Sequence, residues 1–169
     1  MSFLDKLFHL DEKENLPALE DVSDSDIVAI ADGEIVDIKS VSDPMFAEEM
    51  LGKSVAFRYQ KKTTICSPAN GELTALFPTG HAFGITTNEG VELLVHCGVD
   101  TVNAKGDGFK IFKKQGDIVK AGDPIVQVDV PRLAETYDMS TILIVTNANG
   151  REIDFIDTQE VKRGQSLLK

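Results

Sequence analysis

From residue 26 onward, apolar and polar residues alternate in short runs separated by glycine-containing turns. Alternation with a period of two is typical of half-buried β-strands, and glycine supplies the positive φ angles that tight reversals need. Within this region the helical candidates are brief, 46–51 and 131–138. The pattern predicts an all-β protein, an antiparallel β-sandwich or barrel-like domain with a few short helices. The candidate strands are 26–31, 33–41, 54–60, 63–67, 71–77, 81–87, 91–98, 117–121, 123–130, 141–147 and 152–157.

The first 25 residues differ from the rest of the chain in pattern and in charge. Residues 11–26 carry seven acids and one lysine, a composition that predicts a solvated linker. We predict a flexible tail over 1–25 and one domain over 26–169. The tail frays, packs on the domain, or becomes helical on a partner or a membrane surface, which it would contact only weakly. Its apolar residues lie at helical spacing and are Phe3, Leu4, Leu7 and Phe8.

Composition narrows the class of protein further. Of the 169 residues, 42% are apolar, which is enough for a full core without disulfides. The two cysteines, Cys66 and Cys97, have no CxxC or metal-finger spacing, and no signal sequence is visible, so we expect a cytoplasmic protein. The net charge of −11 argues against nucleic acid as a partner, because nucleic-acid binding requires a positive surface.

Two of the three histidines, His81 and His96, lie in the arms of one predicted hairpin. A two-residue loop at Asn88 and Glu89 would place them directly opposite each other, with Cβ atoms about 5 Å apart. A three-residue loop with a bulge at Gly90 would shift the pairing by one residue. In either register, we expect the two imidazoles to be near neighbours.

Adjacent imidazoles serve three kinds of chemistry, and the residues alone leave all three open. They bind a metal, with Asp100 as a third ligand, or act as general acid and base. In the third case one imidazole is a nucleophile and the other stabilises the transferred group. A phosphoryl group suits that case, because a neighbouring N–H donates a charge-assisted hydrogen bond to its oxygens. Nearby glycines would let backbone N–H groups approach these oxygens too: Gly80, Gly84 and Gly98. Since no nucleotide-binding loop is present, a phosphoryl carrier fits better than a kinase.

Several segments resemble the glucose-family enzyme IIA domain of the bacterial sugar phosphotransferase system. GVELLVHCGVDTV (90–102) is similar to the family's active-site signature, and KGDGF (105–109) follows at the usual interval. FPTGHAF (77–83) matches the segment that carries the second histidine, and the likeness covers about 26–169. The resemblance implies an antiparallel β-sandwich of the duplicated hybrid motif type. It also likens the short tail to the family's membrane-associating peptide.

The resemblance implies a role for each site residue. His96 would accept a phosphoryl group from phospho-HPr at Nε2 and pass it to a cysteine of a sugar-specific IIB domain. His81 would donate a hydrogen bond to that group, and Thr79 would help hold the hydrogen-bond network. Asp43 and Asp100 would line the rim and meet arginines of the partners. The docking face would consist of Met45, Phe46, Phe77, Phe83 and Leu94.

The same resemblance bears on ligands and regulation. No cofactor is required for the transfer, although zinc held by His81 and His96 with a partner's ligand is known in some family contexts. Phosphorylation adds charge to an apolar docking face, so regulatory partners that favour the neutral face would be released.

This sequence departs from the family pattern at Cys97, where a large apolar residue is usual. If the strand alternates, Cys97 points away from His96 into the core, where a thiol acts as a small hydrophobe. Leu94 stands where some members have phenylalanine, which trims the docking face.

The spacing from His96 to Asp100 also matches HxxxD of lysostaphin-like zinc peptidases. Those enzymes need a further histidine pair, and the remaining histidine, His9, lies in the tail. We therefore favour the carrier over a zinc hydrolase.

Overall fold

The alternating runs form antiparallel strands in the computed structural model, which describes residues 16–169. Four short helical turns join them: η1 (Ile38–Ser40), α1 (Pro44–Ala47), η2 (Thr101–Ala104) and α2 (Val130–Leu133). Among the described residues, no helix is long and apolar enough to cross a membrane. The strands are β1 (Gly33–Val36), β2 (Lys53–Arg58), β3 (Thr63–Cys66), β4 (Gly71–Leu76), β5 (Ala82–Thr87), β6 (Glu92–Cys97), β7 (Phe109–Ile111), β8 (Ile118–Val119), β9 (Pro124–Val128), β10 (Thr141–Asn147) and β11 (Glu160–Val161).

The strands form two antiparallel sheets, which confirms the all-β prediction. The larger sheet has the order β11-β1-β2-β10-β6-β5-β4-β8, and the smaller has the order β3-β9-β7. Side chains from both sheets, such as Phe57 and Ile65, share one buried apolar cluster, so the main core lies between the sheets. Two facing sheets with alternating inward side chains are the arrangement of a β-sandwich.

Alternation also divides the centre of the larger sheet between two cores. On β10, Leu143 packs in the main core, whereas Ile142 and Ile144 belong to a second cluster with Phe46 of α1. Successive side chains of a strand point to opposite faces, so β6 must divide in the same way. His96 pairs with Ile142 across the β6–β10 ladder and therefore lies on the α1 side of the sheet.

Two predicted strands and both predicted helices differ from the structure in detail. The predicted strand 26–31 forms only one isolated bridge, at Val28, because its backbone groups are shared between Pro68 on one side and Gln165 on the other. The predicted strand 152–157 likewise forms only a bridge at Phe155. Both predicted helices are single turns that begin earlier, at Pro44 and Val130, because a proline occupies one of the first helical positions. Strands β7 and β11 were missed, being too short to show alternation.

The described part of the acidic N-terminal segment contacts the domain. Arg163 donates a hydrogen bond to the Pro17 carbonyl, and Asn70 donates to the Val22 carbonyl at 2.9 Å. The Asp24 carboxylate accepts from the Asn88 amide at 3.0 Å. Residues 16–24 are thus anchored, unlike the solvated linker that composition predicts. The predicted amphipathic segment, 3–8, lies outside the described residues.

Candidate functional site

His96 is half-buried near the end of β6, and one hydrogen bond fixes its tautomer. Its Nδ1 lies 2.7 Å from the carbonyl oxygen of Gly98. A carbonyl oxygen can only accept, so Nδ1 carries the proton and donates. In the neutral ring the lone pair is therefore on Nε2, which makes Nε2 the available nucleophile or metal ligand.

The hairpin that carries both histidines has the three-residue loop, and the two-residue alternative was wrong. Ala82, not His81, pairs with His96, and the loop closes between Thr87 and Val91. Gly90 has a φ of +82°, the left-handed conformation that such a loop with a bulge requires. The expected proximity is confirmed, since the His81 and His96 ring centroids are 5.3 Å apart in an edge-to-face arrangement.

His81 is buried, with 3% of its surface exposed, and Thr79 is its hydrogen-bond partner. The distance from Thr79 Oγ1 to His81 Nδ1 is 2.5 Å. A hydroxyl can donate to an unprotonated Nδ1, and this arrangement leaves the proton on Nε2. In that tautomer His81 has an N–H donor at Nε2, on a ring whose centroid lies 5.3 Å from that of His96.

Burial shifts both histidines towards the neutral form. It lowers the pKa of His96 below its ordinary value of 6.5, against opposing contributions from the Gly98 hydrogen bond and from the charges of Asp43 and Asp100. Burial and the neighbouring His96 together lower the pKa of His81. At pH 7 the pair is therefore mainly neutral, which is the state a nucleophilic imidazole and a neutral N–H donor both require.

The two acidic residues predicted for the rim approach His96 from different elements. Asp43 caps α1, where its carboxylate accepts from the Met45 N–H at 2.9 Å. Asp100 is exposed and has a φ of +60°, an uncommon conformation outside glycine. Asp100 makes no side-chain capping bond to η2, so its carboxylate is not engaged at that helix terminus.

The predicted docking face is only partly exposed. Met45 and Phe77 are 39% and 45% exposed, and Leu94 is half-buried. The Phe46 ring lies 4.9 Å from the His96 ring but is itself buried against the second core. Phe83 is fully buried in the main core, so its assignment to the docking face was wrong. The register explains this, because Phe83 pairs with inward-facing Val95 rather than with Leu94.

Three further predictions concern Cys97, the glycines and metal. Cys97 is fully buried in the main core, as alternation predicted. The N–H groups of Gly80 and Gly98 donate to the Phe77 and Ser140 carbonyls. The expectation that these two N–H groups could bind a phosphoryl oxygen was therefore wrong. Within residues 16–169 no group of three metal-ligating side chains occurs, so Asp100 does not complete a three-ligand site with the histidines.

Sequence reasoning missed two residues near these elements. Val102 in η2 is 51% exposed and follows Asp100 by two residues. Its signal in the sequence was an apolar residue close to His96 within the HCGVDTV segment. Asp138 hydrogen-bonds the Ser42 N–H at 3.0 Å across 96 positions of sequence, and no local pattern indicates such a contact.

A family model described as "phosphoenolpyruvate-dependent sugar phosphotransferase system, EIIA 1" matches residues 25–151. The PTS system glucose-specific EIIA component of Mycoplasma capricolum is 40% identical, over 85% of this chain and 94% of that protein. The corresponding component of Halalkalibacterium halodurans is 38% identical, over 96% of this chain and 94% of that protein.

Longer relatives and a solved structure agree with this match. The PTS system glucose-specific EIICBA component of Staphylococcus carnosus is 37% identical over 80% of this chain, which spans only 20% of that protein. The solved structure of glucose permease IIA from Mycoplasma capricolum matches with a TM-score of 0.79 at 38% identity, covering 85% of this chain and 93% of the other.

Proposed function

The chain belongs to the EIIA 1 family of the phosphoenolpyruvate-dependent sugar phosphotransferase system, and from this premise we propose that it is a phosphocarrier whose His96 accepts a phosphoryl group from phospho-HPr. The observation that carries the proposal is the hydrogen bond from His96 Nδ1 to the Gly98 carbonyl, which leaves the lone pair on Nε2. A neutral imidazole with its lone pair beside an N–H donor suits nucleophilic phosphoryl transfer.

The transfer balances without moving a proton on His96. The Nε2 lone pair attacks phosphorus, an N–P bond forms at Nε2, and the bond from phosphorus to HPr breaks. The proton remains on Nδ1, which goes on donating to the Gly98 carbonyl, so the phosphorylated ring carries a positive charge. In the second half-reaction a cysteine thiolate of the IIB domain attacks phosphorus, and His96 leaves as a neutral imidazole. A neutral imidazole is a far better leaving group than an imidazolate.

The neighbouring groups stabilise the transferred group unequally. The His81 N–H donates to a phosphoryl oxygen, and Thr79 holds His81 in the required tautomer through its 2.5 Å hydrogen bond. The carboxylates of Asp43 and Asp100 repel the phosphoryl charge. This repulsion makes the phosphorylated protein a better donor, and cationic side chains of HPr and IIB relieve it during docking. The longer EIICBA relatives support a sugar-specific IIB domain as the acceptor.

We propose that phosphorylation also controls binding to other proteins. Phe77 is exposed and its ring centroid lies 5.1 Å from that of His81, and the exposed Met45 precedes Phe46, whose ring contacts His96. A phosphoryl group on His96 would add charge to this apolar surface. Pull-downs that compare phosphorylated with unphosphorylated protein test this.

Zinc fits the site only with a partner's ligands, because the two imidazoles supply two ligands and described residues add no third. A zinc hydrolase is not favoured for the same reason.

Labelling by phospho-HPr tests the carrier proposal, with the same substitution at each histidine as a matched pair. We expect His96→Gln to take up no acid-labile phosphate. We expect His81→Gln to become labelled but to pass the group to a IIB domain slowly. Labelling of His96→Gln at the wild-type level would remove the proposed role of His96.

A further inference from the structure

Asp138 lies between α2 and β10, and its carboxylate connects two segments of backbone. One oxygen, Oδ1, accepts hydrogen bonds from the Ser140 N–H at 3.0 Å and from the Ser140 hydroxyl at 2.7 Å. The other oxygen, Oδ2, accepts from the Ser42 N–H at 3.0 Å. A single side chain thus joins the segment before β10 to the loop before α1.

The first of these segments holds the backbone that fixes His96. The carbonyl of Ser140 accepts from the Gly98 N–H at 3.0 Å, and the carbonyl of Asp138 accepts from the Val99 N–H at 2.8 Å. The peptide of Gly98 in turn supplies the oxygen that accepts from His96 Nδ1 at 2.7 Å. The position of that oxygen therefore depends on the segment that Asp138 organises.

The second segment leads into the helix that packs against the His96 ring. Ser42 directly precedes Asp43, whose carboxylate caps α1. Helix α1 carries Phe46, and the Phe46 ring centroid lies 4.9 Å from that of His96. One segment that Asp138 joins thus hydrogen-bonds the Gly98 peptide that binds His96 Nδ1, and the other leads into the helix whose Phe46 ring lies against the imidazole.

We propose that Asp138 is a positioning residue for phosphoryl transfer, which couples the Gly98 carbonyl to the α1 loop and so holds Nε2 of His96 in its reactive orientation. This inference rests on the carrier function proposed above. Asp138 does not touch the transferred group. Burial raises the pKa of Asp138, but hydrogen bonds from Ser140 and Ser42 outweigh it and lower the pKa, so the carboxylate stays charged near neutral pH.

Asparagine at position 138 tests the coupling with little change of shape. Each carboxylate oxygen accepts from a backbone N–H, Oδ1 from Ser140 and Oδ2 from Ser42, so one of these N–H groups must meet the amide NH₂ of Asp138→Asn. Asp117→Asn is the matched control, because Asp117 is also half-buried and its carboxylate accepts a backbone hydrogen bond, from the Lys114 N–H at 2.8 Å. Asp138→Glu restores the charge and should recover part of the activity.

Two readouts separate positioning from general loss of stability. We expect phosphorylation of Asp138→Asn by phospho-HPr to slow on the order of 10-fold, as for other residues that orient a reactive group through hydrogen bonds. We also expect ¹⁵N NMR of the folded, unphosphorylated variant to show His96 as a mixture of tautomers instead of the Nδ1–H form. Asp117→Asn should match the wild type in both measurements.

Other results would overturn the inference or the function beneath it. Wild-type rates and a pure Nδ1–H tautomer in folded Asp138→Asn would remove the role of Asp138. If wild-type protein itself takes up no phosphate, the proposed function fails, while the NMR comparison still decides the coupling. Should Asp138→Asn not fold, Ser140→Ala removes the hydroxyl bond to Asp138 and the longer bond, 3.4 Å, that this hydroxyl accepts from Arg58 Nε, and we expect a roughly two- to threefold slower rate. An unchanged rate for Ser140→Ala would then overturn the proposal.

Discussion

Replacing Gly98 with alanine tests the packing that holds the carbonyl beneath His96. Gly98 has a φ of +81°, and a Cβ there would lie 2.5 Å from Thr101 Cγ2 and 2.8 Å from Met139 Sδ. The Met139 side chain is flexible and can yield. Thr101 cannot, because it is fully buried and its hydroxyl donates to the Cys97 carbonyl at 2.6 Å.

The expected magnitude has two parts. A left-handed φ costs a non-glycine residue roughly 1–2 kcal/mol. Overpacking against Thr101 adds about 1–3 kcal/mol. A total of about 3 kcal/mol lowers Tm by roughly 6–12 °C in a protein of this size. Moving the Gly98 carbonyl should also weaken the His96 tautomer preference and slow phosphorylation.

Thermal and urea unfolding measure this effect against two related variants. Gly150→Ala is the matched control, because Gly150 has a φ of +80° with no atom within 4 Å of its added Cβ. It should lose only the backbone part, about 1–2 kcal/mol. Adding Thr101→Ser to Gly98→Ala removes the clashing methyl and should recover the packing part. If Gly98→Ala is no less stable than Gly150→Ala, the tight packing of Gly98 against Thr101 is refuted.

Three further predictions follow from the buried groups. Because burial lowers the pKa of His96 and His81, the rate of phosphorylation should be constant from pH 8 to about 6.5 and fall only at lower pH, and a decline that begins above pH 7 would contradict this. The free energy of unfolding should also decrease below about pH 6.5, because there the histidines of the unfolded chain bind protons more readily than those of the folded protein. Burial raises the pKa of Cys66 and Cys97 to about 12, so iodoacetamide should label neither thiol in the native protein at pH 8 and both thiols after unfolding. Rapid labelling of the native protein would contradict this, because it would show that the thiols are accessible. Thr79→Val removes the hydroxyl that holds His81, so quench-flow measurements should show transfer from phosphorylated His96 to IIB about tenfold slower, with little change in uptake from phospho-HPr. An equal loss in both steps would contradict the role of Thr79 as the residue that holds His81.

Alternation along β6 was sufficient to predict which way its side chains point. His96 and Leu94 lie on the α1 side, and Val95 and Cys97 face the main core. A period of two follows from the strand backbone itself, so a single strand reveals it. The same pattern predicted the antiparallel all-β fold.

The hairpin register could not be predicted from the same pattern. It depends on whether the loop has two or three residues, and the presence of Gly90 permits either. The two-residue register would have paired Phe83 with Leu94 on the outer face, whereas the structure pairs Phe83 with Val95 and buries it. One residue of shift therefore decides whether a large aromatic side chain is available to a partner.

Contacts between distant segments were also beyond the sequence. Asp138 and Ser42 are 96 positions apart, and neither belongs to a recognisable motif. Asp24, which composition assigns to a solvated linker, hydrogen-bonds Asn70 and Asn88 of the domain. Such contacts depend on the tertiary arrangement of loops, which no local periodicity encodes.

Identifying the nitrogen atom that carries the phosphoryl group is the most direct test of the proposed mechanism. Phosphorylation of ¹⁵N-histidine-labelled protein by phospho-HPr, followed by ³¹P–¹⁵N NMR, identifies both the residue and the ring position. Because the Gly98 carbonyl holds the proton on Nδ1, we predict coupling of phosphorus to Nε2 of His96 alone. Phosphorus on Nδ1 of His96, or on either nitrogen of His81, would contradict the mechanism.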